Sequence, residues 1–96
     1  MYLKKINFKN KFALVTGAGK GLGRACSIAL AESGAHVFTL SRTNSDLDKL
    51  EKIIKKTQGK ITKINCDVTN YNNLVLCFEK IKKIDVLVNN AGTNIP

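Results

Sequence analysis

Phe12-Ala13-Leu14-Val15-Thr16 is apolar on both faces, the pattern of a strand inside a parallel sheet covered on both sides. A glycine-rich turn follows at once. From there Leu22, Ala25, Cys26, Ala29 and Leu30 recur at three- and four-residue spacing until Gly34, which predicts a first helix with a glycine stop. His36 to Leu40 reads as a second strand. Ser45 with Asp46 and Asp48 supplies a helix start with negative charge in its first turn, and Leu47, Leu50 and Ile54 give that second helix a buried stripe ending near Gly59.

Ile61 to Cys66 predicts a third strand, whose Lys63 places it toward a sheet edge, and Asp67 ends it. Thr69 or Asn70 can cap a third helix with Tyr71, Leu74, Phe78 and Ile81 on one face, and Ile84 to Val88 is a fourth strand. Strands alternating with helices imply right-handed parallel crossovers. The expected fold is therefore α/β, a doubly wound parallel sheet of Rossmann type, partial, with four strands in the order 3-2-1-4 and three crossover helices. Residues 1–96 form one domain portion with no internal linker, repeat or low-complexity tract.

Composition narrows the classes without changing this picture. The chain is 44% hydrophobic and 24% charged, as globular domains are, and no apolar run approaches the roughly 20 residues of a membrane span. The amino-terminal stretch lacks the apolar segment and small-residue cleavage site of a secretory signal, so a cytoplasmic location is expected and no membrane partner. The formal charge of +9 raises nucleic acid as a partner. Fourteen of the sixteen basic residues are lysines spread over solvated helix faces, without interleaved aromatics, so no nucleic-acid binding is expected. Cys26, Cys66 and Cys77 are widely spaced and accompany a single histidine, His36. No metal or disulfide framework is expected, and all three thiols read as small buried side chains.

The turn Thr16-Gly17-Ala18-Gly19-Lys20-Gly21-Leu22-Gly23 lies between the first strand and the first helix, where a parallel α/β fold offers free backbone N–H groups to an anion. Gly17 allows the tight turn, Gly21 lets a pyrophosphate approach the backbone, and Gly23 lets the helix pack hard on the strand. The spacing is G-x-x-x-G-x-G. A Walker phosphate loop is excluded, since it would need glycine at Leu14 and serine or threonine at Gly21. At the end of the second strand, where an NAD site carries an acid for the ribose 2′-hydroxyl, stand Ser41 and Arg42. A guanidinium there can fork onto a 2′-phosphate, with Lys20 approaching from the other side, so NADP(H) is the expected cofactor and NAD(H) the less favoured one.

Three motifs in register, Thr16-Gly-x-x-x-Gly-x-Gly23, Asp67-Val68 and Asn89-Asn90-Ala91-Gly92, resemble the short-chain dehydrogenase/reductase family. The turn together with Leu40-Ser41-Arg42-Thr43 looks like its carbonyl and L-xylulose reductase branch, and the tail from Asn89 to Pro96 is also similar to gluconate dehydrogenase-like members and to 3-oxoacyl carrier-protein reductases. The resemblance implies that Gly17, Gly19, Lys20, Gly21 and Leu22 line the pyrophosphate and adenosine ribose, and that Asp67 and Val68 flank the adenine, Asp67 accepting from its amine. It also implies that Asn89, Ala91 and Gly92 run beside the nicotinamide-side ribose, Asn89 doubling as a sheet-steadying residue. Hydride transfer between nicotinamide and a carbonyl or alcohol substrate is the implied activity, in a complete enzyme that is a homo-oligomer.

The resemblance covers the first two-fifths of a typical member. Tyr2 is followed four residues on by Ile6 and Tyr71 by Val75, so the family's Tyr-x-x-x-Lys is absent from the 96 residues, and no catalytic residue is assigned. The expectation is an amino-terminal cofactor-binding portion without the catalytic one, marginally stable by itself for want of a neighbour to its fourth strand. A non-enzymatic NADP(H)-binding module is the alternative.

Overall fold

The computed structural model describes residues 7–67, 69–81 and 83–90. Strands β1 (Phe12–Thr16), β2 (His36–Ser41), β3 (Lys60–Asn65) and β4 (Val86–Asn89) alternate with helices α1 (Gly21–Glu32), α2 (Asn44–Ile54) and α3 (Tyr71–Phe78). The strands form one sheet in the order β3-β2-β1-β4, every neighbour parallel. This is the doubly wound arrangement and strand order the hydrophobic pattern predicts.

Alternation along the strands divides the core into two layers. Ala13, Val15 and Val37 face Leu30 and Ala31 of α1 and Leu50 and Ile54 of α2. Leu14, Phe38, Leu40 and Ile64 face the opposite way, onto Cys77, Leu74 and Ile81 at α3. Leu50 and Ile54 are fully buried, each contributing about 1.5–3 kcal/mol. β3 lies at the sheet edge, and its Lys63 bonds Asp48 at 2.8 Å and Glu51 at 3.1 Å on α2, which raises the Lys63 pKa. His36 opens β2 stacked on Phe38, its Nε2 2.7 Å from the Thr62 hydroxyl, and burial followed by the nearby Lys60 charge lowers its pKa.

The structure corrects several details. Leu22 and Ala25 face outward, because the side of α1 that meets the sheet is set by the small residues Gly23, Ser27 and Ala31, which permit close approach, together with Leu30. α2 starts at Asn44, not Ser45, with Thr43 as its N-cap residue, and Asp48 points to Lys63. Tyr71 and Phe78 are exposed, and the residues that pack on this side of the sheet are Leu74 and Cys77 of α3 with Ile81 just beyond its end. Asn70 caps α3, accepting from Asn73 N at 3.0 Å. β3 ends at Asn65 and β4 begins at Val86, leaving Ile84 exposed.

Cys66 and Cys77 are buried as expected, but Cys26 is only partly covered. Burial, with the hydrogen bond to Cys77, pushes the Cys66 thiol well above its ordinary pKa. Because the reagent must reach the sulfur, iodoacetamide near neutral pH should alkylate the partly covered Cys26 well ahead of the buried Cys66 and Cys77 in the folded chain. Peptide mass spectrometry after timed quenching reads this order, and equal rates at all three would contradict the packing.

Candidate functional site: a dinucleotide cradle at the strand ends

All four strands run the same way, so their carboxyl ends, and the loops that leave them, meet on one rim of the sheet. The turn from Gly17 to Gly23 leaves β1, Ser41 closes β2, Asp67 follows β3, and Asn89 closes β4. The topology thereby gathers Gly17, Gly19, Lys20, Gly21, Leu22, Gly23, Ser41, Arg42, Asp67 and Asn89 on that rim. Val68, Ala91 and Gly92 lie outside the described residues.

Thr16 is the hub between β1 and β4. Its hydroxyl donates to Asn89 Oδ1 at 3.1 Å and accepts from Asn90 N at 2.9 Å. Asn90 Nδ2 in turn donates to Gly17 O at 3.3 Å, so the end of β4 holds the start of the glycine turn. On the other side Ala18 N donates to Leu40 O at 3.0 Å and ties the turn to β2.

Gly17 and Gly21 take φ of 61° and 55°, left-handed values that glycine adopts without strain. A Cβ on Gly21 would meet nothing within 4 Å, so the backbone there faces open space. A Cβ on Gly23 would lie 2.2 Å from Gly17 O and 2.9 Å from Asn90 Nδ2. One glycine thus opens the turn outward while the other lets α1 close on it. Lys20, the N-cap residue of α1, makes no side-chain capping bond, and the first turn carries no acid. Uncapped N–H groups and the positive end of the helix dipole face the opening beside Gly21, which suits an anionic group such as a pyrophosphate. Leu22, which follows Gly21, is 69% exposed.

The second corner lies at the end of β2. A Cβ on Gly19 would come within 3.1 Å of Ser41 Oγ and 2.8 Å of Asp46 Cβ, so Gly19 makes room for both. Ser41 Oγ accepts from Thr43 N at 3.1 Å, and Asn65 Nδ2 donates to Arg42 O at 3.0 Å, which anchors the backbone while the Arg42 side chain stays exposed. Lys20 Nζ lies 4.0 Å from Asp46 Oδ2. At the end of β3, Asp67 Oδ1 accepts from Thr69 Oγ1 at 2.6 Å and Thr69 N at 3.0 Å. Those bonds, aided by the Arg42 charge, hold the Asp67 carboxyl below the usual carboxylate range. Asp67 N donates to Asn73 Oδ1 at 2.7 Å, so α3 fixes the loop that presents it.

Three contributors escape sequence reading. Asp46 is an acid in the first turn of α2, yet it folds against the glycine turn. Neighbourhood was the available signal: β2 pairs with β1, so the helix leaving β2 must begin beside the turn leaving β1. Thr16 and Asn90 stand within the motifs, but nothing in their spacing reveals that one hydroxyl and one amide join the two strand ends. Among the described residues, no group of three or more His, Cys, Asp or Glu could hold a metal ion, and no helix is long and apolar enough to cross a membrane.

A family profile described as short chain dehydrogenase matches residues 11–96, and the chain belongs to that family of oxidoreductases, in which binding of NAD(P)(H) is typical. It is 40% identical over 80 residues to L-xylulose reductase of Mesocricetus auratus, covering 83% of this chain and 31% of that one. Among solved structures it is similar to L-sorbose reductase of Gluconobacter frateurii complexed with NADPH and L-sorbose (TM-score 0.78, 27% identity), covering 91% of this chain and 35% of that one. It is also similar to carveol dehydrogenase of Mycobacterium avium in complex with NAD (TM-score 0.78, 25% identity), covering 88% and 36%. The chain spans 31% to 37% of the length of most of the curated relatives it matches, and 84% of the length of the short-chain dehydrogenase/reductase homolog YusS of Bacillus subtilis, to which it is 37% identical.

Proposed function

We propose that this chain is the NADP(H)-binding part of a short-chain oxidoreductase that moves hydride between nicotinamide and a carbonyl or alcohol of a small molecule, a sugar, polyol or small ketone. The observation that carries the cofactor choice is Ser41 beside Gly19 at the end of β2, followed by the exposed Arg42 and facing the turn that bears Lys20, with no carboxylate at the end of β2 itself. A 2′-phosphate placed there gains a charge-assisted fork from Arg42 and a second cation from Lys20. The Gly17–Gly23 turn holds the pyrophosphate, Asp67 and Val68 hold the adenine, and Asn89, Ala91 and Gly92 run beside the second ribose.

Bound nicotinamide supplies the hydride acceptor or donor, and these residues fix the adenosine half and hold the rim in shape. No residue among the 96 is assigned a catalytic role. The complete enzyme is read as a cytoplasmic homo-oligomer, with a small molecule rather than nucleic acid or membrane as its partner.

Calorimetric titration with NADPH and NADH tests the reading. NADPH should bind at least about tenfold more tightly, the worth of one charge-assisted hydrogen bond. Equal affinities, or tighter NADH binding, would defeat it.

A further inference from the structure

The end of β2 holds serine and arginine, so the strand itself brings no acid to compete for the 2′-position. The fold returns one from another element. Asp46, in the first turn of α2, packs its Cβ against Gly19 beside the Ser41 hydroxyl, with its Oδ2 4.0 Å from Lys20 Nζ. Its side chain is only 15% exposed, whereas that of Lys20 is 84% exposed. The carboxylate is thus held in place by packing, and the ammonium moves freely.

A long ion pair with one end in water contributes little, so Lys20 can leave Asp46 at small cost when a phosphate arrives. Asp46 cannot leave. Its negative charge stays at the corner where Ser41 and Arg42 would seat a dianionic phosphate. A 2′-hydroxyl carries no charge and would meet no comparable opposition.

From this we propose that Asp46 is a specificity-determining residue: its carboxylate competes with the 2′-phosphate for Lys20 and repels it, narrowing the preference for NADP(H) over NAD(H). The inference rests on the cofactor corner assigned above.

The test is calorimetric binding of adenosine 2′,5′-bisphosphate and adenosine 5′-monophosphate, alongside NADPH and NADH, to the wild type and Asp46→Asn. The near-isosteric amide should tighten the two 2′-phosphorylated ligands about three- to tenfold, the scale of one partly screened charge, and shift the other two by less than about twofold. Asp46→Ser, which also suits a first helical turn, should move affinity the same way. In a Lys20→Met background the gain should shrink, since the contested cation is gone. A purely structural role would weaken all four ligands together. Unchanged or weaker binding of the 2′-phosphorylated pair in both Asp46 variants would overturn the proposal. If the wild type shows no preference for a 2′-phosphate but Asp46→Asn creates one, the NADP(H) reading falls and the role of Asp46 stands; if neither protein shows a preference, both fall.

Discussion

Gly23→Ala is expected to lower the melting temperature by about 10 °C or more and to weaken NADPH binding at least about tenfold. The new Cβ would stand 2.2 Å from Gly17 O, a separation that no rotamer change relieves, because the Cβ position is fixed by the backbone and Gly17 O belongs to it. Overpacking of this kind costs typically about 1–3 kcal/mol, and in a chain of 96 residues each kcal/mol moves the midpoint by about 4–8 °C. Relief requires either α1 to lift off the sheet or Gly17 to move. Gly17 cannot move without disturbing its bond from Asn90 Nδ2 and the left-handed turn it begins. Stability and binding should therefore fall together.

Gly21→Ala supplies the contrast. Its Cβ would project into open space, so the fold loses only the cost of a left-handed alanine, about 1–2 kcal/mol, while the space assigned to the pyrophosphate is filled. Binding should fall with a smaller change in melting temperature. Differential scanning fluorimetry and NADPH titration on both variants separate the cases, and an unaltered midpoint in Gly23→Ala would refute the packing argument.

The contrast shows what a sequence can reveal. Strand and helix alternation was readable because β1 and β2 are buried on both faces and α2 keeps a regular stripe at Leu47, Leu50 and Ile54. Parallel order then carries the glycine turn, Ser41, Asp67 and Asn89 to one rim of the sheet. The facing of α1 and α3 was less readable. Leu22, Tyr71 and Phe78 are apolar, so periodicity counts them as core, yet all three are exposed, and in α1 it is the small residues Gly23, Ser27 and Ala31 that set the side meeting the sheet. Asp46 was hidden for another reason. Its partners Gly19 and Lys20 lie about a helix and a strand away, and contacts of that kind are set by tertiary placement rather than local pattern.

Arg42→Asp should weaken NADPH roughly a hundredfold, while NADH weakens far less or gains. Two effects combine. The variant loses a charge-assisted hydrogen bond worth about 1.5–3 kcal/mol, and it sets a carboxylate against a phosphate in its place. The backbone should stay where it is, because Asn65 Nδ2 holds the residue through its carbonyl rather than its side chain. Asp67 gives an internal check. Part of what lowers its pKa is the Arg42 charge, so reversal must raise that pKa, with the larger contribution from the Thr69 bonds left intact. Carboxylate titration followed by NMR should register this rise even without ligand. A raised Asp67 pKa with unchanged cofactor preference would show that Arg42 reaches the rim but does not read the 2′-position, and the selectivity would then have to reside in Lys20 and Ser41.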